Sequence, residues 1–138
     1  MKIFLPENTV SFTICLMSSG ISAGFPSPAD DHLEDRIDLN RELIRNKDST
    51  FFGRVEGDSM KNAGIEHGDL LVIDKSLEAR NGKIAVCFID GDFTVKRIKV
   101  ENDMVWLVAE NEKYKPIKVT KDNDLLIWGI VVHVIKSY

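Results

Sequence analysis

Alternation between apolar and polar side chains sets the rhythm of this chain from Thr50 onward. Thr50-Phe51-Phe52-Gly53-Arg54-Val55, Asp69 to Asp74, Lys83 to Ile89, Phe93 to Val100 and Met104 to Ala109 are all rich in β-branched or aromatic residues. Such runs, bounded by turn residues, read as strands packed on a sheet. Asp90-Gly91 is a hairpin signal, because a tight turn between twisted strands needs positive φ. Glu101-Asn102-Asp103 supplies the next turn. Leu125 to Ile135 is long enough for a helix, but its Ile and Val content and Gly129 favour a buried strand. Asp38 through Arg45 suits a short helix, with Asp38 as N-cap and Leu39, Leu43 and Ile44 as its apolar face. The pattern predicts a mainly β fold, curved and partly closed, with one short helix.

Residues 1–23 follow a different pattern. Ile3, Phe4, Leu5, Val10, Phe12, Ile14 and Leu16 are scattered and too few to form a core alone, so this stretch reads as an irregular, extended arm. Val10 to Ile14 alternates, which suits a strand added to another element. Gly20, Gly24, Pro26, Ser27 and Pro28 then make a loop, in which Pro26 holds Phe25 extended. A simple linker has the same composition.

With 138 residues, 43% of them hydrophobic and 29% charged, the chain fits one modest globular domain. Its net charge of −4 argues against direct contact with a nucleic-acid backbone. Loss of residues 1–23 would remove one cation, Lys2, and one anion, Glu7, leaving that charge unchanged. Cys15 and Cys87 make a poor disulfide framework and are expected to be reduced thiols. His32, His67 and His133 lack paired ligand spacing, so neither a metal nor any other cofactor is expected. Met1-Lys2, the run Val10 to Met17 and Ile21-Ser22-Ala23 imitate a secretion signal. Pro6, Glu7 and Asn8 interrupt it, and Ser11 and Thr13 dilute it, so a cytoplasmic protein without a membrane span is expected.

The candidate chemistry lies in two segments. Gly57-Asp58-Ser59-Met60 offers a serine on a glycine turn, and Lys96 follows 37 residues later in Phe93-Thr94-Val95-Lys96. A serine hydroxyl attacks only when a base takes its proton, and a lysine is a base only when neutral. Desolvation on an apolar strand favours the neutral form. Thr94, Lys96 and Ile98 share one strand face, whereas Arg97 and Lys99 project oppositely. Taken alone, the pair is weak evidence, since glycine-turn serines are abundant and most strand lysines are solvated. Cys87 is a rival nucleophile, but its apolar neighbours from Ile84 to Ile89 make a thiolate costly. Trp106 and Trp128 read as core residues.

The wider sequence adds a resemblance. Gly57-Asp58-Ser59-Met60, Ala63-Gly64-Ile65 and Gly68 to Asp74 are similar to the serine segment of the LexA/UmuD self-cleaving peptidases. Gly91 to Ile98 resembles their lysine segment at a matching interval. Ala23-Gly24-Phe25-Pro26-Ser27-Pro28-Ala29 resembles the cleavage site of the UmuD branch, as Arg36 to Asn40 and Trp128 to Val134 resemble other parts of it. That branch often has Cys-Gly at the cut, whereas this chain has Ala-Gly as LexA-type repressors do.

The resemblance implies a LexA/UmuD-type β fold with Ser59 as nucleophile and Lys96 as base. It makes Ala23-Gly24 the scissile bond and gives Gly57, Asp58 and Met60 the support of the turn and its oxyanion. It divides the chain into a removable arm (1–23), a cleavage loop with the helix (24–46) and a peptidase and dimerisation domain (47–138). It further implies a homodimer, stimulation by a RecA filament on single-stranded DNA, and service of the processed form to a UmuC-like Y-family polymerase. A LexA-type repressor is not expected, because only 23 residues precede Gly24 and they are neither basic nor helically periodic. A non-catalytic module that regulates a polymerase is the alternative.

Overall fold

A computed structural model describes residues 2–4, 12–17, 20–25, 35–122 and 125–138. Leu5, Val10, Ser11, Pro26, Ser27, Pro28, Ala29 and His32, which carried parts of the sequence reading, lie outside the described residues. The chain forms two compact units, one of Met1–Glu7 with Asn46–Tyr138 and one of Asn8–Arg45.

The larger unit is built on one sheet. Its strands are β1 (Lys2–Phe4), β4 (Thr50–Arg54), β5 (Leu70–Asp74), β6 (Ile84–Ile89), β7 (Asp92–Glu101), β8 (Met104–Val108), β9 (Ile117–Lys118) and β10 (Leu125–Ile135). They lie in the order β1-β4-β5-β10-β6-β7-β8-β9. The sheet curls into a half-barrel, so the architecture is the mainly β, LexA/UmuD-type fold that the sequence implied.

The turns follow from local stereochemistry. Asp90 and Gly91 have φ of 47° and 91°, closing the β6–β7 hairpin, and Asn102 and Asp103 at 51° and 62° close β7–β8. These are the left-handed conformations that Asn, Asp and Gly tolerate best. Period-two alternation then sends neighbours to different cores. Val86 and Val95 join Val55, Met60, Ile65, Leu71 and Ile73, whereas Ala85 and Cys87 pack with Ile98, Leu107 and Ile130.

β10 joins the two halves, pairing with β5 on one side and β6 on the other. Its register shifts between Ile127 and Gly129, a bulge that accompanies Trp128. The Trp128 ring meets Phe51 at 4.9 Å and Phe93 at 5.6 Å between centroids, with the Lys75 ammonium 4.6 Å from its own centroid. Trp106 and Trp128 are half-buried, and Trp128 packs against the core cluster around Val55 and Ile73. A large aromatic ring covers the margin of a curled sheet more readily than its small interior.

None of the described residues of the smaller unit is buried. β2 (Ile14–Leu16) pairs with β3 (Asp35–Ile37). Arg36 donates through Nε to Thr13 Oγ1 at 3.1 Å and through Nη2 to the Thr13 carbonyl at 2.9 Å. The helix α1 (Leu39–Leu43) is capped by Asp38, whose Oδ1 accepts from the Asn40 N–H at 3.0 Å. Leu43 and Ile44 are half-buried, but no residue of the helix is buried. Residues 1–23 are therefore not wholly irregular: they contribute β1 and β2, each three residues long. A short strand gains its order from its partner, which local sequence does not reveal.

Gly129 supplies a test of this packing. A Cβ there would come within 2.7 Å of Ile73 Cγ2, a fully buried side chain with little room to move. Gly129→Ala should therefore destabilise the fold by about 1–3 kcal/mol, read as a lower urea midpoint at unchanged slope.

Candidate active site

Ser59 stands in the loop that carries the chain out of β4. Gly57 turns that loop with φ of 90°, a conformation that would strain a side-chain-bearing residue. The Gly57 N–H donates to His67 Nδ1 at 3.2 Å, and the Asp58 carbonyl accepts from Lys61 N–H at 3.2 Å. Met60, nearly fully buried, anchors the far end of the turn. Its carbonyl accepts from the Ala63 and Ile65 N–H groups at 3.0 and 3.3 Å, and its sulfur from the Glu110 N–H at 3.4 Å. Sequence order thus places the serine on a loop, while an apolar anchor one residue later keeps it in register.

Lys96 reaches the same place from β7. It is only 6% exposed, unusual for a lysine without a carboxylate partner. Its Nζ donates to Ser59 Oγ at 3.2 Å, to Thr94 Oγ1 at 2.7 Å and to the Val95 carbonyl at 3.2 Å. Burial lowers its pKa below the ordinary lysine value, and the Cys87 thiol opposes that shift weakly. The chemical consequence is geometric. A neutral amine keeps two N–H bonds and one lone pair. With Thr94 and Val95 holding the two hydrogens, the lone pair falls toward Ser59.

Other sequence-derived residues separate from this pair. Arg97 leaves the site to pair with Glu110 and donate to the Gly82 carbonyl at 2.7 Å, and Lys99 pairs with Glu101 at 3.7 Å. Cys87 is buried and its thiol is pushed up to about 11 by that burial, so a reactive thiolate is disfavoured. Among the described residues no cluster could hold a metal ion. No helix among them is long and apolar enough to cross a membrane.

Ala23 and Gly24 belong to the smaller unit and are exposed, as is Phe25 at 92%. Residues 23–25 form a bend rather than the straight extended run expected from Pro26. The Ser22 hydroxyl donates to the Phe25 carbonyl and accepts from the Gly24 N–H at 3.3 Å. That local side-chain turn competes with an extended backbone, which explains the difference.

Four contributors escaped sequence reasoning. Thr94 holds the lysine. His67 occupies the Gly57 N–H. Asn111, buried at 3% exposure, donates through Nδ2 to the Asp58 carbonyl at 2.9 Å, and Tyr114 donates its hydroxyl to Asp58 Oδ1 at 2.7 Å. Only Thr94 had a local signal, its place two residues before Lys96 on the same strand face. The others join the serine turn from distant sequence.

A cleft of about 380 Å³ opens beside Ser59, lined by Val55, Gly57, Met60, Phe93, Thr94 and Val95. It sets open space, bordered also by Glu56, next to a hydroxyl and a desolvated amine, the ingredients for attack on an amide.

Comparison with known proteins places the chain in a family. Residues 16–132 match the family model described as Peptidase S24-like. The chain is 37% identical over 131 residues to "Protein ImpA" of Salmonella typhimurium, covering 94% of this chain and 88% of that protein. It is equally similar to "Protein ImpA" of Escherichia coli. It is 43% identical over 117 residues to the "LexA repressor" of Pseudomonas chlororaphis, covering 84% of this chain and 57% of the repressor. The chain therefore belongs to the Peptidase S24-like, LexA/UmuD family.

Proposed function

We propose that the protein is a self-processing serine peptidase that cuts its own Ala23-Gly24 bond, with Ser59 as nucleophile and neutral Lys96 as general base. The observation that supports this reading is the 3.2 Å contact between Lys96 Nζ and Ser59 Oγ, made by a buried lysine whose other N–H bonds are already held. Membership of the Peptidase S24-like family supports the same chemistry.

The steps follow from these groups. The bend at Ser22–Phe25 opens so that the chain presents the Ala23 carbonyl. Ser59 Oγ attacks that carbon while Lys96 Nζ takes the hydroxyl proton. Collapse of the tetrahedral intermediate breaks the Ala23-Gly24 bond, and the leaving Gly24 nitrogen receives the proton from Lys96. Water, deprotonated by the again neutral Lys96, hydrolyses the Ser59 ester. Within the turn, the Gly57 N–H is engaged by His67. The oxyanion role of the turn then falls to its later N–H groups, those of Asp58, Ser59 and Met60, with Gly57 shaping the turn.

In this reading residues 1–23 are the removable arm, residues 24–46 the cleavage loop and helix, and residues 47–138 the peptidase and dimerisation domain. A RecA filament on single-stranded DNA raises the rate by favouring the docked arm. The processed homodimer then acts in the cytoplasm as accessory subunit of a Y-family translesion polymerase. The family resemblance supports these partners, and the net charge of −4 suits a protein partner better than direct DNA contact.

Purified protein incubated at alkaline pH should shorten to a product beginning at Gly24, identified by intact mass. Ser59→Ala and Lys96→Ala should each reduce the rate by roughly four orders of magnitude. Lys96→Arg should be equally inactive, since guanidinium stays protonated. Cleavage by Ser59→Ala at the normal rate would refute the nucleophile, and a folded but uncut wild type would favour a purely non-catalytic module.

The rate should also rise with pH, because deprotonation creates the base. Burial lowers the Lys96 pKa, so the neutral fraction grows at lower pH than for an ordinary lysine near 10.4. Half-maximal cleavage should accordingly fall below that value. A profile that only begins to climb there, or falls as pH rises from about 6, contradicts a desolvated lysine base.

A further inference from the structure

We propose that Tyr114 is a positioning residue for self-cleavage, fixing the serine turn through the hydrogen bond from its hydroxyl to Asp58. The inference rests on the Ser59–Lys96 reading and adds a residue that holds the turn carrying the nucleophile. The Tyr114 hydroxyl donates to Asp58 Oδ1 at 2.7 Å, one residue before the nucleophile. The centre of its ring lies 6.0 Å from Lys96 Nζ, at the outer limit of cation–π attraction.

The backbone that carries Tyr114 is itself tied to the turn. Buried Asn111 donates to the Asp58 carbonyl at 2.9 Å, accepts from Lys113 N–H at 3.1 Å on Oδ1, and its carbonyl accepts from Tyr114 N–H at 3.1 Å. Glu110 accepts from Asn62 N–H at 2.9 Å on the other side of Ser59. Segment 110–114 therefore brackets the nucleophile from residue 58 to residue 62. The Asp58 carboxylate, lowered first by that hydroxyl, stays ionised, and it raises the Tyr114 pKa in return. Tyr114 thus keeps its donor proton further into the alkaline range in which neutral Lys96 accumulates.

Asp58 is exposed and Tyr114 is 44% exposed, so neither holds the core. This separates positioning from folding. Self-cleavage of the full chain should be timed at alkaline pH for Tyr114→Phe, Asp58→Ala, their double variant, Asp58→Asn and Tyr114→Leu. Melting temperatures of all five are expected within a few degrees of wild type. Tyr114→Phe and Asp58→Ala should each slow the reaction about tenfold, the effect of losing one charge-assisted hydrogen bond. The double variant should be no slower than either, because both remove the same contact. Asp58→Asn keeps an acceptor and should recover most of what Asp58→Ala loses. Tyr114→Leu removes the same hydroxyl and should be about as slow as Tyr114→Phe.

A Tyr114→Phe rate equal to wild type, a double variant near the hundredfold product of the singles, or Asp58→Asn as slow as Asp58→Ala would overturn the proposal. Tyr114→Leu cutting at the wild-type rate would overturn it as well. Each of these results, with wild type cutting and Ser59→Ala silent, leaves the Ser59–Lys96 reading intact. Normal cutting by Ser59→Ala would sink both.

Discussion

Desolvation of one ammonium group organises this site. Lys96 is buried on β7 without a carboxylate, and its three donor positions end on a serine hydroxyl, a threonine hydroxyl and a main-chain carbonyl. A charged lysine in such surroundings gives up hydration for neutral acceptors, which is why its pKa falls. The same arrangement makes its neutral form useful. Two contacts orient the amine and the third faces the nucleophile. A surface lysine at the same distance from Ser59 would remain protonated and could only donate.

The fold serves this constraint from several directions. The β6–β7 hairpin, closed by Asp90 and Gly91, sets the strand that carries the base. Gly57 and Met60 shape the loop that carries the nucleophile, the one by its positive φ and the other by burial. Segment 110–114 then bolts that loop to the residues after β8. The residues flanking the serine are thus held by main-chain and side-chain bonds from separate parts of the chain. Such over-determination suits a reaction in which a neutral amine is scarce and each encounter must be well aligned.

Much of this was legible in the sequence. Runs such as Lys83 to Ile89 and Phe93 to Val100 carry their period openly, and Asp90-Gly91 and Asn102-Asp103 mark their turns. Ser59 and Lys96 stood out through residue type, spacing and neighbours. What escaped was contact at long separation. Asn111 and Tyr114 reach Asp58 across 53 and 56 residues, and nothing in Asn111-Glu112-Lys113-Tyr114 announces it. β1 and β9 are three and two residues long, too short for a period to register. The expected extension before Pro26 gave way to a turn made by Ser22, because a nearby hydroxyl offers the backbone a local partner.

The central claim is that Lys96 loses its proton more readily than any exposed lysine of this protein. It can be tested without cleavage by following lysine side-chain NMR signals against pH in the uncut Ser59→Ala chain, with Lys96 assigned by its absence in Lys96→Met. The account predicts one lysine resonance titrating well below the remainder and assigned to Lys96. A Lys96 signal that titrates together with the surface lysines, near the ordinary value of about 10.4, would contradict it.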